Sequence, residues 1–362
     1  MTDSEHIDAL KKVAPHLASR LSDERVRQVL SVTGTHKAQP VARLVRAATR
    51  DFEFDRLTLL NTDTAIKWAT RNEGIRTWLD RKISTACNES AFENSAAALA
   101  EVRALGALLE AGFEVEPLSE SRDPTPEFEV SAGGEKVRVE VHCKQMNGEE
   151  AERLAKFYAS TSERPAKGNV NVTTHIAHPG GRPRQGENVG QNVAHKFASI
   201  KAGARQAEGP SILWLDLQDE DWWAIGRDYA HPLISAHDAL MTGPLWAGLY
   251  GRRSTPILEG AFAERTTTGR PALRMGFPGL FQQSAGWSAA ILAFPRDTLI
   301  LENPDPSAGI PLSIAPELLS LPWVRFEHSW MQWPHQTNRS LRQRIAEAHR
   351  RLRGAASRSH VL

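Results

Sequence analysis

The stretch from Asp123 to Lys144, DPTPEFEVSAGGEKVRVEVHCK, leaves the chain few choices. Its side chains alternate. Glu127 and Glu129 fall on one side of an extended segment and Phe128 and Val130 on the other, the period of two that a half-buried strand requires. From Val137 onward, Val137, Val139, Val141 and Cys143 point one way and Arg138, Glu140, His142 and Lys144 the other. Ser131 to Glu135, centred on Gly133-Gly134, supplies the turn of a hairpin. Paired in their natural register, the strands bring Glu127 and Glu140 together on the polar face. Two carboxylates about 4 Å apart repel by roughly 4 kcal/mol at an effective dielectric near 20, so such a pair is exposed, protonated or bridged by a cation. The plainer reading is a hairpin with a solvated acidic face.

Flanking segments place that hairpin in an α/β domain. NSAAALAEVRALGALLEAGFEVEPL, from Asn94, predicts a helix with Ala98, Val102, Leu105 and Leu109 on one apolar face, Gly112 after its end, and a short strand. Glu101 sits beside that face, in the position of an ordinary solvated residue. After the hairpin, a helix is expected over Asn147–Tyr158. A long polar stretch over 161–192 follows, with a strand at Val170–Ile176 and Arg182 and Arg184 beside glycines. It matches neither phosphate-binding fingerprint, so a surface insertion is the default. A second helix over 188–207 turns Val189, Val193, Phe197, Ile200 and Ala204 inward and carries Lys196, Lys201, Arg205 and Gln206 off that stripe. The apolar run of SILWLDLQ then predicts a central buried strand, and Ala289–Phe294 and Thr298–Leu301 read as further strands.

Residues 1–90 read as helical and without chemistry. Ser22 opens one helix, Val41–Thr49 forms another, Thr62-Asp63 is an N-cap for a segment through Trp68, and Ile75, Trp78, Leu79 and Ile83 recur at helical spacing. A helix-turn-helix here has no base-reading residues, so the region is expected to be structural or to dock a protein partner or a second copy. From Arg339 onward seven arginines face one glutamate, which predicts a docked basic helix or tail over 339–362.

The totals exclude more than they select. The 362 residues carry a net charge of only +1, so no global field advertises a nucleic-acid or membrane partner, and local patches must carry that argument. Cys87 and Cys143 are too few for a disulfide framework and lack zinc spacing. His175 and His178 are three apart, yet no third zinc ligand accompanies them. No apolar signal core or membrane span is legible, so the expected location is the cytoplasm.

Residues 94–218 thus run helix, strand, strand, strand, insertion, helix, strand, with a Pro-acid step at Pro126-Glu127 and an acid at Glu140. This order resembles the PD-(D/E)XK nuclease superfamily over roughly a third of the chain. The resemblance implies a restriction-endonuclease-like central mixed sheet flanked by helices over 91–338, with the helical region before it. It also implies a metal-dependent phosphodiesterase acting on DNA. Glu127 and Glu140, with the carbonyl of Val141, would hold Mg²⁺ or Mn²⁺. Glu101 falls where many members place a further acid. Lys196, Lys201, Arg205, Arg182 and Arg184 would face phosphates. Two positions depart from the pattern. Glu127 replaces the usual aspartate, and His142 stands where a lysine is expected, offering a base or ligand rather than a permanent cation. Lys144 shares its strand face about 7 Å further along. The alternative is a nuclease-fold domain without catalysis that binds nucleic acid or a protein.

Overall fold

A computed structural model describes residues 2–32, 39–49, 52–88, 92–118, 126–144, 152–153, 156, 189–200, 209–218, 222, 226–231, 234–236, 239–251, 258–259, 262–263 and 278–325. Seven helices come first: α1 (Asp3–Val13), α2 (Pro15–Ala18), α3 (Asp23–Ser31), α4 (Pro40–Ala47), α5 (Glu53–Thr70), α6 (Arg76–Ala86) and α7 (Phe92–Glu110). Strands β1 (Glu114–Pro117), β2 (Phe128–Ala132) and β3 (Glu135–Cys143) follow, then helix α8 (Val189–Ala198) and strand β4 (Ser211–Asp216). Two small hairpins, β5 (Ile234–Ala236) with β6 (Ala239–Met241) and β7 (Leu258–Glu259) with β8 (Phe262–Ala263), bracket helix α9 (Pro244–Tyr250). Helix α10 (Leu280–Gln283), strands β9 (Ala289–Ala293) and β10 (Thr298–Glu302) and helix α11 (Ala315–Leu319) complete the described chain.

One mixed sheet in the order β1-β2-β3-β4-β9-β10 organises these elements. Its inner strands β3, β4 and β9 run parallel, and the outer pairs β1-β2, β2-β3 and β9-β10 are antiparallel. Gly133 and Gly134 make the β2-β3 turn at φ +60° and +82°, a left-handed pair that residues with a Cβ adopt only under strain. Beyond the turn, Val137, Val139 and Val141 enter the core shared with α7 and the N-terminal helices. The opposite sheet face is covered elsewhere. Leu213, Leu215 and Leu292 pack there with Val193 and Phe197 of α8 and with Trp246 and Tyr250 of α9. With helices on both faces, every residue of β4 is buried, which is why its sequence runs apolar instead of alternating. The result is an α/β fold with a helical layer on each face of a six-stranded open sheet. Helices α1–α6 share one core with the sheet.

Local signals hold at several helix ends. The Ser22 hydroxyl accepts from the Arg25 amide at 3.1 Å, as an N-cap should. Thr62 and Asp63 do not cap a helix of their own, because α5 begins nine residues earlier, at Glu53. The Thr62 hydroxyl instead donates to the Thr58 carbonyl, and Asp63 accepts from the Leu17 amide at 2.8 Å, capping α2 from across the fold. The helix expected over 188–207 ends at Ala198. Residues 201–208, the expected helix at Asn147–Tyr158 apart from three isolated positions, the strand at Val170–Ile176 and the basic segment 339–362 lie outside the described residues.

Helix α7 is tied to the sheet by charge as well as packing. Arg103 donates through Nε and Nη2 to both carboxylate oxygens of Asp216, at 3.0 and 2.9 Å, with side chains 1% and 0% exposed. Removing one member of such a pair strands the other charge in the core, and α7 loses its anchor to β4. Arg103→Leu is therefore expected to cost about 3–5 kcal/mol in urea unfolding, while Arg103→Met with Asp216→Leu recovers most of that loss. Equal stability of Arg103→Leu and the wild type would contradict the account.

Candidate active site

The acids of the hairpin meet where β2 begins. Extending the Phe128↔Val139 register by two positions sets Pro126 opposite Val141, and proline has no N–H to give the ladder. Independently of that, the Val141 amide donates to Glu127 Oε2 at 2.6 Å. Glu127 therefore does not lie on an open polar face. Its carboxylate caps the ladder at the end of β2, while its own carbonyl accepts from the Leu118 amide at 2.9 Å.

Two more carboxylates bear on this group. Burial is the main cause that pushes the Glu127 carboxyl up to about 8, the Val141 amide opposes it, and the charges of Glu101 and Glu140 push the same way as burial. Glu101 comes from α7 and Glu140 from β3, the strand paired with β2. Each of the outer two has a cationic or imidazole partner. Lys82 Nζ lies 2.5 Å from Glu101 Oε2, both side chains being about one-eighth exposed at 12% and 13%. His142 Nε2 lies 2.8 Å from Glu140 Oε1.

Lys144 follows β3 directly, two residues beyond His142. Lys144 Nζ lies 5.3 Å from the centre of the Phe197 ring, over α8. Burial lowers its pKa to about 8, with the charge of Lys196 acting in the same direction. Lys196, half-buried on α8, is itself lowered by burial. Among the described residues no carboxylate pairs with either lysine. Lys201, Arg205, Arg182 and Arg184 lie outside the described residues, as do His175 and His178.

Sequence reasoning passed over α6. Trp78, Arg81 and Lys82 line a cavity of about 140 Å³ together with Glu101, Pro126 and Glu127. Trp78 packs edge-to-face on Phe128 at 5.6 Å, and Lys82 Nζ lies 5.8 Å from the Trp78 ring centre. The available signal was Trp78 and Lys82 four residues apart, one helical turn. What it lacked was the partner: only the packing of α6 on α7 turns a surface-like lysine into a half-buried ion pair.

Among the described residues no group of three His, Cys, Asp or Glu side chains is gathered to hold a metal ion. A hard cation such as Mg²⁺ needs less from the protein, one or two carboxylates with retained waters. Glu127, Glu140 and the Val141 carbonyl are oxygen donors of the chemical kind such a cation takes. No family model, curated protein or solved structure matches this chain.

The titration of Glu127 is testable without any ligand. Below about pH 4.5 its carboxyl is protonated in folded and unfolded chains alike. Between there and about 8 the unfolded chain ionises while the folded one holds its proton, so stability falls as pH rises, on the order of 3 kcal/mol by pH 7. Glu127→Gln keeps an acceptor for Val141 and removes the titration. Urea midpoints should show the variant more stable than wild type at pH 7 and flatter between pH 5 and 8. Parallel pH profiles would exclude this assignment.

Proposed function

We propose that this chain is a metal-dependent phosphodiesterase of the PD-(D/E)XK type acting on nucleic acid, with DNA as the expected substrate. One observation carries the reading. Glu127 is held at the end of β2 on the Val141 amide, within electrostatic reach of Glu101 and Glu140, while Lys144 follows Glu140 on the same strand face. Mg²⁺ or Mn²⁺, when bound by Glu127, Glu140 and the Val141 carbonyl, would supply a Lewis acid for the phosphoryl oxygen and an acidified water.

The chain's own residues divide the remaining work. His142 positions Glu140 through its 2.8 Å contact, and so is not the missing lysine. Lys144, with a pKa near 8, is partly neutral at mildly alkaline pH and can accept a proton from water or hold the attacking water by hydrogen bond. Lys196, beside it on α8, offers a phosphate a cation. Lys82 holds Glu101 at the rim of the smaller cavity, beside Glu127.

A second reading has its own support. Lys82 and His142 already occupy Glu101 and Glu140, an arrangement that also suits a nuclease-fold domain that binds nucleic acid or a protein without cutting.

Full-length protein incubated with linear, circular and single-stranded DNA, and with RNA, in Mg²⁺ or Mn²⁺ separates the two readings. Under the enzyme reading, Glu140→Ala and Lys144→Met each lose about 100-fold or more in cleavage rate. The wild-type rate climbs with pH through about 8 as Lys144 sheds its proton. Lys144→Arg, a permanent cation, stays inactive if Lys144 is the base. Millimolar Mg²⁺ raises the wild-type melting temperature but not that of Glu140→Ala. Wild-type inactivity with metal-independent nucleic-acid binding would sink the enzyme reading and leave the second.

A further inference from the structure

A second cavity lies away from the acids, between α5, α7 and the carboxyl ends of β4 and β9, and its volume is about 480 Å³. Both the size and the place suit a small molecule: such sites run to a few hundred cubic ångströms and favour the carboxyl ends of parallel strands. Its mouth is apolar. Among the described residues the exposed large hydrophobic side chains are Phe52, Leu60 and Trp323, and two of these three, Leu60 at 38% and Trp323 at 49%, line this cavity.

Trp323 is also the described non-glycine residue with positive φ, at 61°. A bulky side chain enters that region only when its surroundings hold it there. The Trp323 carbonyl accepts from the Thr298 amide at 2.9 Å, and its indole N–H donates to Asn61 Oδ1 at 3.2 Å. Asn61 is in turn fixed by donating to Gln218 Oε1 at 2.8 Å and to the Pro295 carbonyl at 2.7 Å. The indole is thereby presented edge-anchored at the mouth, half in solvent.

Charge narrows the occupant. The lining contains one cation, Arg103, whose Nε and Nη2 donate to Asp216, so its charge is already balanced by a carboxylate. The other formal charge on the wall is the Glu110 carboxylate, whose pKa is raised by burial and drawn back by Lys67. A phosphate or carboxylate meets no unbalanced cation in this lining and faces the Glu110 charge, whereas a positive nitrogen finds both a carboxylate and an indole face. With Phe294 and Trp214 also in the wall, the shape favours a flat ring.

We propose that this cavity binds a flat aromatic molecule, neutral or bearing one positive nitrogen, against the Trp323 indole. The site does not depend on the nuclease reading. Three probes of one ring system and different charge test it: tryptamine, indole and indole-3-acetate, titrated into the full-length protein by calorimetry up to about 5 mM, which reaches millimolar affinities. Tryptamine and indole should saturate, and indole-3-acetate should bind at least about ten-fold more weakly than tryptamine. Trp323→Ala should weaken tryptamine by about ten-fold or more, and Glu110→Gln should bring tryptamine down to the level of indole. Both replaced side chains are solvent-facing; Leu60→Asp, at the same mouth, carries the test should Trp323→Ala lose its unfolding midpoint. No saturable binding of tryptamine or indole, equal affinity for all three probes, or binding indifferent to the mouth variants would overturn the assignment.

Discussion

The pairing of Arg103 with Asp216 is the contact on which the arrangement turns. A bidentate ion pair sealed from solvent gains little net stability, because both charges surrender their hydration to form it. What it does is exclude alternatives: any other rotation or slide of α7 over β4 leaves a bare charge in the core. With α7 fixed, its neighbours follow. Gly106 lets α5 approach so closely that a Cβ there would sit 2.2 Å from the Ala65 Cα, and Lys82 of α6 reaches Glu101 from the other side. One helix, held by one charge pair, sets the positions of two others and of an acid in the candidate site.

The same burial that makes the core stable shapes the site's electrostatics in two opposite senses. Desolvation disfavours charge of either sign, so it raises the Glu127 carboxyl and lowers the Lys144 ammonium, and both arrive at about 8. Like-charged neighbours push each further along: Glu101 and Glu140 for the acid, Lys196 for the base. A strand end built this way is under electrostatic tension whichever ligand it takes. A cation among the acids and an anion beside the lysines would each relieve part of it.

How much of this could be seen in the sequence depends on the range of the interaction involved. The period of two in Val137, Val139 and Val141, the Gly133-Gly134 turn, the Ser22 cap and the unbroken apolar run of β4 are local patterns, and each is found where the sequence places it. Thr62-Asp63 misled because a short polar pair signals a cap without saying whose; Asp63 caps α2, forty-six residues away in sequence. Glu101 looked solvated because nothing near it in the chain announces Lys82, and Glu127 looked like one residue of an acidic face because its acceptance from the Val141 amide, fourteen residues on, follows only once the strands are paired. The left-handed backbone at Trp323 leaves no mark in composition at all. Side-chain alternation and capping are written in neighbouring residues; charge partners and cavities are written in the packing.

Helix geometry then explains how α7 can serve two regions without confusing them. Arg103, Ala107 and Glu110 recur at intervals of four and three, so they share a face, and that face lines the larger cavity. Glu101 precedes Arg103 by two residues, about 200° around the axis, and faces Lys82 and Glu127. Each face carries its own electrostatic character: Glu101 paired with Lys82 beside Glu127 on one, Arg103 paired with Asp216 and the Glu110 carboxylate among apolar walls on the other. A polyanion with its cation and a flat neutral or cationic ring would therefore be sorted between the two regions by charge alone, on opposite sides of the helix that the Arg103–Asp216 pair holds in place.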